Sequence, residues 1–139
     1  MSGKRIALEL KNHLAELNRL WRTLEKFGKP LGLSPKSLHE INLVLEELFT
    51  NIITYGFEDS AEHRIRIEIT QANDSLQVRV EDDGRCFNPI GVLPPDLTCA
   101  VENRKIGGLG LLLIRRFVED IQYEHKAGKN ILTFRKQIT

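Results

Sequence analysis

The sequence predicts an α+β fold, a two-layer sandwich in which a mostly antiparallel mixed sheet carries about three helices on one face. Three observations lead there. Five short segments alternate apolar and polar residues with the period of a half-buried strand. Three longer segments repeat apolar residues with the period of a helix. Their order is strand, helix, helix, strand, strand, loop, helix, strand, strand, which groups like elements together.

The elements follow from local residues. "RIALELK" alternates Ile6, Leu8 and Leu10, a short strand. Leu14, Leu17, Leu20, Trp21, Leu24 and Phe27 form an amphipathic stripe, and Gly28 and Pro30 end that helix. Ser34 and Pro35 open the next one as N-cap and N1, where a hydroxyl acceptor is useful and a missing N–H does no harm. It carries Leu38, Ile41, Leu45, Leu48, Ile52 and Tyr55 and stops at Gly56. "HRIRIEIT" and "LQVRVEDDG" are strands joined by an "NDS" turn. Residues 88–105, with Gly91 and Pro94-Pro95, keep no period, as expected of a functional or disordered loop. "LGLLLIRRFV" is apolar on nearly every side at its start and predicts a buried helix, and "IQYEH" and "NILTFRK" predict a hairpin around "KAGK".

At 139 residues the chain is expected to be one domain, 1–139, with a single core. A net charge of +1 gives no field to hold nucleic acid or an anionic membrane, and the densest basic pairs, Arg115-Arg116 and Arg135-Lys136, are explained by solvated faces. Cys86 and Cys99 are too few for a disulfide framework and suggest a reducing compartment. With no apolar run of transmembrane length and no signal-peptide core in "MSGKRIALEL", a cytoplasmic location is expected.

Three short stretches could carry chemistry. In "EELFTNIITYG", at about 100° per residue, Asn51 falls about 40° from Glu47. The pair therefore lies on the rim of an apolar arc filled by Leu38, Ile41, Leu45, Leu48 and Ile52. It is either a solvated boundary pair or a Mg²⁺ oxygen ligand beside a proton-accepting carboxylate. In "VRVEDDGRCFNP", strand parity sends Asp82 inward after Leu76, Val78 and Val80, with Gly84 just beyond. An ordinary turn explains this, and so does an acid that accepts from a purine amine. In "KIGGLGLLLIRR", glycines ahead of an apolar helix leave backbone N–H groups for a phosphate, with Arg104 and Lys105 near enough to reach it; a tight packing turn is the alternative. The chain has no P-loop, no protein-kinase His-Arg-Asp or Asp-Phe-Gly set and no zinc spacing among its four histidines.

Taken in this order, the three stretches resemble the N-box and the two glycine boxes of the GHKL ATPase superfamily, and within it the bacterial anti-sigma-factor serine kinases. The likeness covers residues from about 5 to 136. It implies a Bergerat-type sandwich, ATP and Mg²⁺ as cofactors, and a lid at residues 90–106. Residue by residue it implies Glu47 as general base, Asn51 as Mg²⁺ ligand, Asp82 with Gly84 at the adenine, and Gly108, Leu109 and Gly110 at the phosphates, where Lys105 is expected from its place ahead of the glycines. Cys86 and Asn88 depart from the residues most relatives carry, and Asn130 stands where relatives often have a threonine that helps hold the adenine site.

The implied reaction is phosphoryl transfer from ATP to a seryl or threonyl hydroxyl of an anti-anti-sigma (STAS-domain) protein, together with sequestration of a sigma factor. Catalysis of this kind is mainly positioning and charge stabilisation. A non-catalytic, nucleotide-dependent binding switch is the second reading, and a detached histidine-kinase ATP domain the third. The resemblance also implies a homodimer through the first strand and helix, with Trp21 and Phe27 on a compatible stripe. Neither nucleic acid nor membrane is expected as a partner.

Overall fold

In the computed structural model, which describes residues 4–57, 59–85 and 110–138 (of 110–113 the backbone alone), the strands form one open sheet. They are β1 (Arg5–Lys11), β2 (Arg64–Ala72), β3 (Ser75–Asp82), β4 (Glu119–Lys126) and β5 (Lys129–Gln137). Their spatial order is β1-β2-β3-β5-β4, and all four pairings are antiparallel. The hairpins close through residues that accept a left-handed backbone: Asn73 (φ 55°) between β2 and β3, and Ala127 and Gly128 (φ 54° and 77°) between β4 and β5.

Register turns strand parity into rows across the sheet. Leu10, Ile65, Asp82, Asn130 and His125 face one another in sequence, and Leu8, Ile67, Val80, Leu132 and Tyr123 form the next row. Because side chains alternate faces, every one of these points to the helical side. The opposite face is polar. There Glu68 lies 2.6 Å from Arg5 and 3.1 Å from Arg66, and Arg135 lies 3.0 Å from Glu119.

Three helices cover the apolar face: α1 (Leu17–Gly28), α2 (Pro35–Tyr55) and α3 (Gly110–Phe117). The expected first helix starts one turn late. Leu14 lies in a 3-10 turn, Leu14–Glu16, and is 54% exposed, because Glu16 folds back to accept the Lys11 amide at 2.9 Å and holds that turn outside the core. Ser34 caps α2 as expected, its hydroxyl accepting the Ser37 amide at 3.0 Å, with Pro35 at N1 and Gly56 at the C-cap. Ile41, Val44, Leu45, Leu48, Phe49 and Ile52 of α2 are buried against the sheet, whereas Tyr55, assigned to the apolar stripe, is 42% exposed as the last turn leaves it.

The short α3 packs on α2, with Ile114 fully buried. Lys136 of β5 ties this corner together, its Nζ lying 2.6 Å from Glu40 on α2 and donating to the Phe117 carbonyl at the end of α3. That ammonium holds the Glu40 carboxyl below the usual carboxylate range. The loop expected at 88–105 lies outside the described residues, as do the side chains of the apolar start of α3.

Candidate functional site

Glu47 and Asn51 are one turn apart on α2 and touch: the Asn51 Nδ2 donates to Glu47 Oε1 at 3.4 Å. Asn51 is buried, Glu47 half-buried, as the helical wheel required. The contact orients both groups. It commits the amide nitrogen to the carboxylate and leaves the Asn51 Oδ1 lone pairs without a side-chain donor among the described residues.

Asp82 ends β3 on the helical side with 5% exposure. Its Oδ1 accepts two hydrogen bonds, from the Gly84 amide at 2.8 Å and from Asn130 Nδ2 at 3.1 Å. Both end on Oδ1, so Oδ2 keeps its acceptor capacity. Burial pushes the Asp82 carboxyl above the usual range, the Asn130 and Gly84 donors pull it back, and the neighbouring Asp83 charge raises it further. A small hollow of about 10 Å³ opens at this carboxylate. It is lined by Leu48 and Ile52 of α2 together with Val80, Asp82, Tyr123, Asn130 and Leu132 of the sheet. That volume admits about one water molecule, so it marks the foot of a site. A wider depression of about 430 Å³ lies on the outer face of the sheet, but its walls are the ion-paired Glu68, Arg79 and Arg135 with Gln77 and Gln122, away from both acids.

Gly84 is essential to the joint between the two halves of the site. A Cβ there would stand 2.5 Å from the Gly56 carbonyl oxygen and 2.8 Å from Asp82 Oδ1. The space left by the missing side chain is thus filled by the protein's own backbone. Arg85 completes the joint, its amide donating to the Gly56 carbonyl and its Nε to the Tyr55 carbonyl, both at 2.8 Å. The end of β3, bearing Asp82, is thereby bolted to the end of α2, bearing Asn51.

Of the expected site residues, the structure brings Glu47 and Asn51 together on α2 and sets Asp82 with Gly84 across the hollow from that helix. Gly110 is the first residue of α3. Lys105, Gly108 and Leu109 lie outside the described residues, as does the lid expected at 90–106. Arg85, Tyr123 and His125 were not expected. Alternation in "IQYEH" and "NILTFRK" puts Tyr123 on the face of Ile121 and Asn130 on the face of Leu132 and Phe134, and that was the available signal; only register sets Asn130 opposite Asp82.

Comparison with known proteins agrees with this fold. Residues 10–136 match the family model of the histidine kinase-like ATPase domain. The serine-protein kinase RsbW of Listeria monocytogenes is 29% identical over 133 residues, covering 91% of this chain and 82% of the relative. The serine/threonine-protein kinase BtrW of Bordetella bronchiseptica is 26% identical, covering 96% of this chain and 94% of the relative. Among solved structures, the RsbU and RsbW domains of Rv1364c from Mycobacterium tuberculosis superpose with a TM-score of 0.69 at 14% identity. That match covers 97% of this chain, which spans about a third (32%) of the Rv1364c chain. The histidine kinase domain of the Erythrobacter litoralis blue-light kinase gives 0.55 at 20% identity, covering 90% of this chain and 60% of that one. These two likenesses speak for the fold. With its sandwich shared by those structures and its sequence matched almost from end to end, the chain belongs to the histidine kinase-like ATPase domain family.

Proposed function

We propose that this chain is an ATP-dependent serine/threonine protein kinase that phosphorylates an anti-anti-sigma (STAS-domain) protein and sequesters a sigma factor or similar regulator. The observation that carries the reading is the Glu47–Asn51 pair on α2, the helix whose Leu48 and Ile52 line the hollow at Asp82. The names of the RsbW and BtrW relatives support it.

The residues present fit both cofactors. Mg²⁺ is a hard cation that takes oxygen ligands and is often held by one or two protein groups plus substrate phosphates. The Asn51 Oδ1, left open by the orientation of its amide, is such a group. Asp82 Oδ2 is an acceptor at the edge of an apolar hollow, matched to an adenine amine. Bound Mg-ATP would supply the transferable phosphoryl group and a cation to offset the charge that develops on it. The chain's own part is then positional. Leu48, Ile52 and Val80 would give the base an apolar wall, Asn51 would offer an oxygen to the metal, and Glu47 would accept the proton of the attacking hydroxyl. Gly108, Leu109, Gly110 and Lys105 would complete the phosphate seat in this reading.

Purified protein incubated with radiolabelled ATP, Mg²⁺ and small STAS-domain proteins from the same genome tests it. Label on a partner is the expected result. Tight nucleotide binding with no label on any partner would replace the kinase with a binding switch, and no binding at all would remove the site.

A further inference from the structure

The residues that flank the Gly84–Gly56 joint, Asp83 on one side and Phe57 on the other, both reach His63. Phe57 stacks on the imidazole at 4.1 Å, and Asp83 Oδ1 lies 3.1 Å from Nδ1. Asp59, two residues beyond Phe57, sets its Oδ1 2.7 Å from Nε2. The ring stands on a fixed support, because the His63 amide donates to Asn12 Oδ1 at 2.9 Å and its carbonyl accepts the Asn12 amide at 3.1 Å. Of the charged groups nearby, Lys11 of β1 and Arg64 of β2 lie 3.7 and 3.5 Å from Glu62, and Arg85 donates to the Tyr55 and Gly56 carbonyls. Among the described residues, the charges that face the ring itself are thus Asp59 and Asp83.

We infer that His63 is a positioning residue for the nucleotide site: its imidazolium holds Asp83, and through it the end of β3, against the end of α2, so that nucleotide binding is linked to a proton on this ring. The inference rests on the nucleotide reading above and adds a regulation to it. An imidazolium donates to both carboxylates, whereas the neutral ring has one hydrogen for two acceptors. The shorter contact, to Asp59, keeps that hydrogen, and Nδ1 then turns a lone pair toward Asp83. Acceptor faces acceptor, and the Asp83 arm lets go. Its charge, no longer compensated, bears on the adjoining Asp82, whose carboxyl it pushes upward. The Asp59 hydrogen bond, helped by Asp83, raises the His63 pKa, so the clamp is closed below that raised value and opens above it. Nucleotide affinity therefore falls as pH rises through it. By reciprocity, binding on the alkaline side draws a proton onto the ring.

Calorimetric titration of the whole chain with Mg-ADP from pH 6 to pH 9, at fixed ionic strength, tests the inference. Wild-type affinity should fall about two- to fivefold more than that of His63→Gln, the scale of a solvent-exposed ion pair. The nucleotide's own titration is common to both proteins and cancels. Enthalpies in two buffers of different ionisation heat should show the wild type taking up more protons on binding than His63→Gln. Asp83→Asn, whose amide can donate to Nδ1 of the neutral ring, should keep the low-pH affinity of the wild type and flatten the profile. A purely structural histidine would shift affinity equally at every pH. Identical pH profiles for wild type and folded His63→Gln would overturn the inference. Should that variant not fold, an Asp83→Asn profile as steep as the wild type's would do the same. A wild type that binds no Mg-ADP at any pH overturns instead the functional reading on which the inference depends.

Discussion

Glu47 has two duties in the proposed mechanism, and a single substitution separates them from binding. Its carboxylate would take the hydroxyl proton, and it also receives the Asn51 amide at 3.4 Å. General-base assistance is worth about 10²- to 10⁴-fold, so Glu47→Ala should lower phosphoryl transfer by that range while nucleotide affinity stays within a few-fold. Single-turnover transfer and calorimetry on the same sample separate the two quantities; transfer at the wild-type rate would remove the base assignment. Gly84 makes the opposite kind of prediction. Its missing side chain is required by the Gly56 carbonyl oxygen, a backbone atom 2.5 Å from an added Cβ, and by Asp82 Oδ1 at 2.8 Å. Gly84→Ala should therefore cost about 1–3 kcal/mol of stability, the usual toll of overpacking, and weaken nucleotide binding with it. A thermal melt at wild-type temperature would show that the joint is looser than its distances say. At this scale the sequence was informative where a residue's duty follows from its own element. Glu47 beside Asn51 is helical spacing, and an inward Asp82 is strand parity. Asn130 was singled out only through the family resemblance, and its two hydrogen-bonding sides are supplied by Tyr123, Arg85 and Asp82 from other segments.

Helix α2 is the element on which the site is mounted, and its start is set by residues far from the chemistry. The Ser34 hydroxyl accepts the Ser37 amide at 3.0 Å and satisfies one of the orphan donors of the first turn. Ser34→Ala should cost about 1 kcal/mol with no change in transfer rate at saturating nucleotide, measured by denaturant unfolding beside a kinase assay. A change in rate would mean that the pitch of α2 governs Glu47 more directly than its packing suggests. The other end of the helix is held differently. Arg85 donates to both the Tyr55 and Gly56 carbonyls, so the C-terminal turn is fixed by a residue from the end of β3. Pattern reading located both ends of α2, because Ser-Pro and Gly are local signals. It placed the start of the first helix a turn early, since Leu14 has the right spacing but Glu16 pulls that turn outward by bonding to β1.

Across the whole molecule, one histidine fastens the three segments that converge on the site. His63, just before β2, lies 2.7 Å from Asp59 in the connection after α2 and 3.1 Å from Asp83 next to Asp82. Phe57 stacks on its ring at 4.1 Å. Both ring nitrogens face carboxylates, so the imidazolium can donate twice, whereas the neutral ring has one hydrogen for two acceptors. The Asp59 hydrogen bond, helped by Asp83, raises the His63 pKa above 6.5. The sign follows: a raised folded-state value makes the native protein bind more protons. The clamp's stabilisation is then fully present below about pH 6.5 and fades as pH rises through the folded value. The lowered Glu40, Asp59 and Glu68 act at more acid pH, and comparison with a His63 variant cancels whatever Asp82 contributes. Between pH 6 and pH 9 the wild type should lose more stability than His63→Gln, as read by melting at fixed ionic strength. Parallel curves would leave the clamp without weight. The effect should shrink with salt, because Asp59 and Asp83 are exposed.

The sequence by itself determined the element order, the inward faces and the pair on α2. Periodicity, caps and turn residues act within about ten residues, and the energies they express are local. The tertiary structure decided what no single stretch contains: that Gly84 yields to Gly56, that Arg85 grips the end of α2, and that Tyr123, His125 and Asn130 close behind Asp82. Those contacts depend on register between strands distant in the chain. A buried polar group is stable only once its partners have arrived, so its role can be read only in three dimensions.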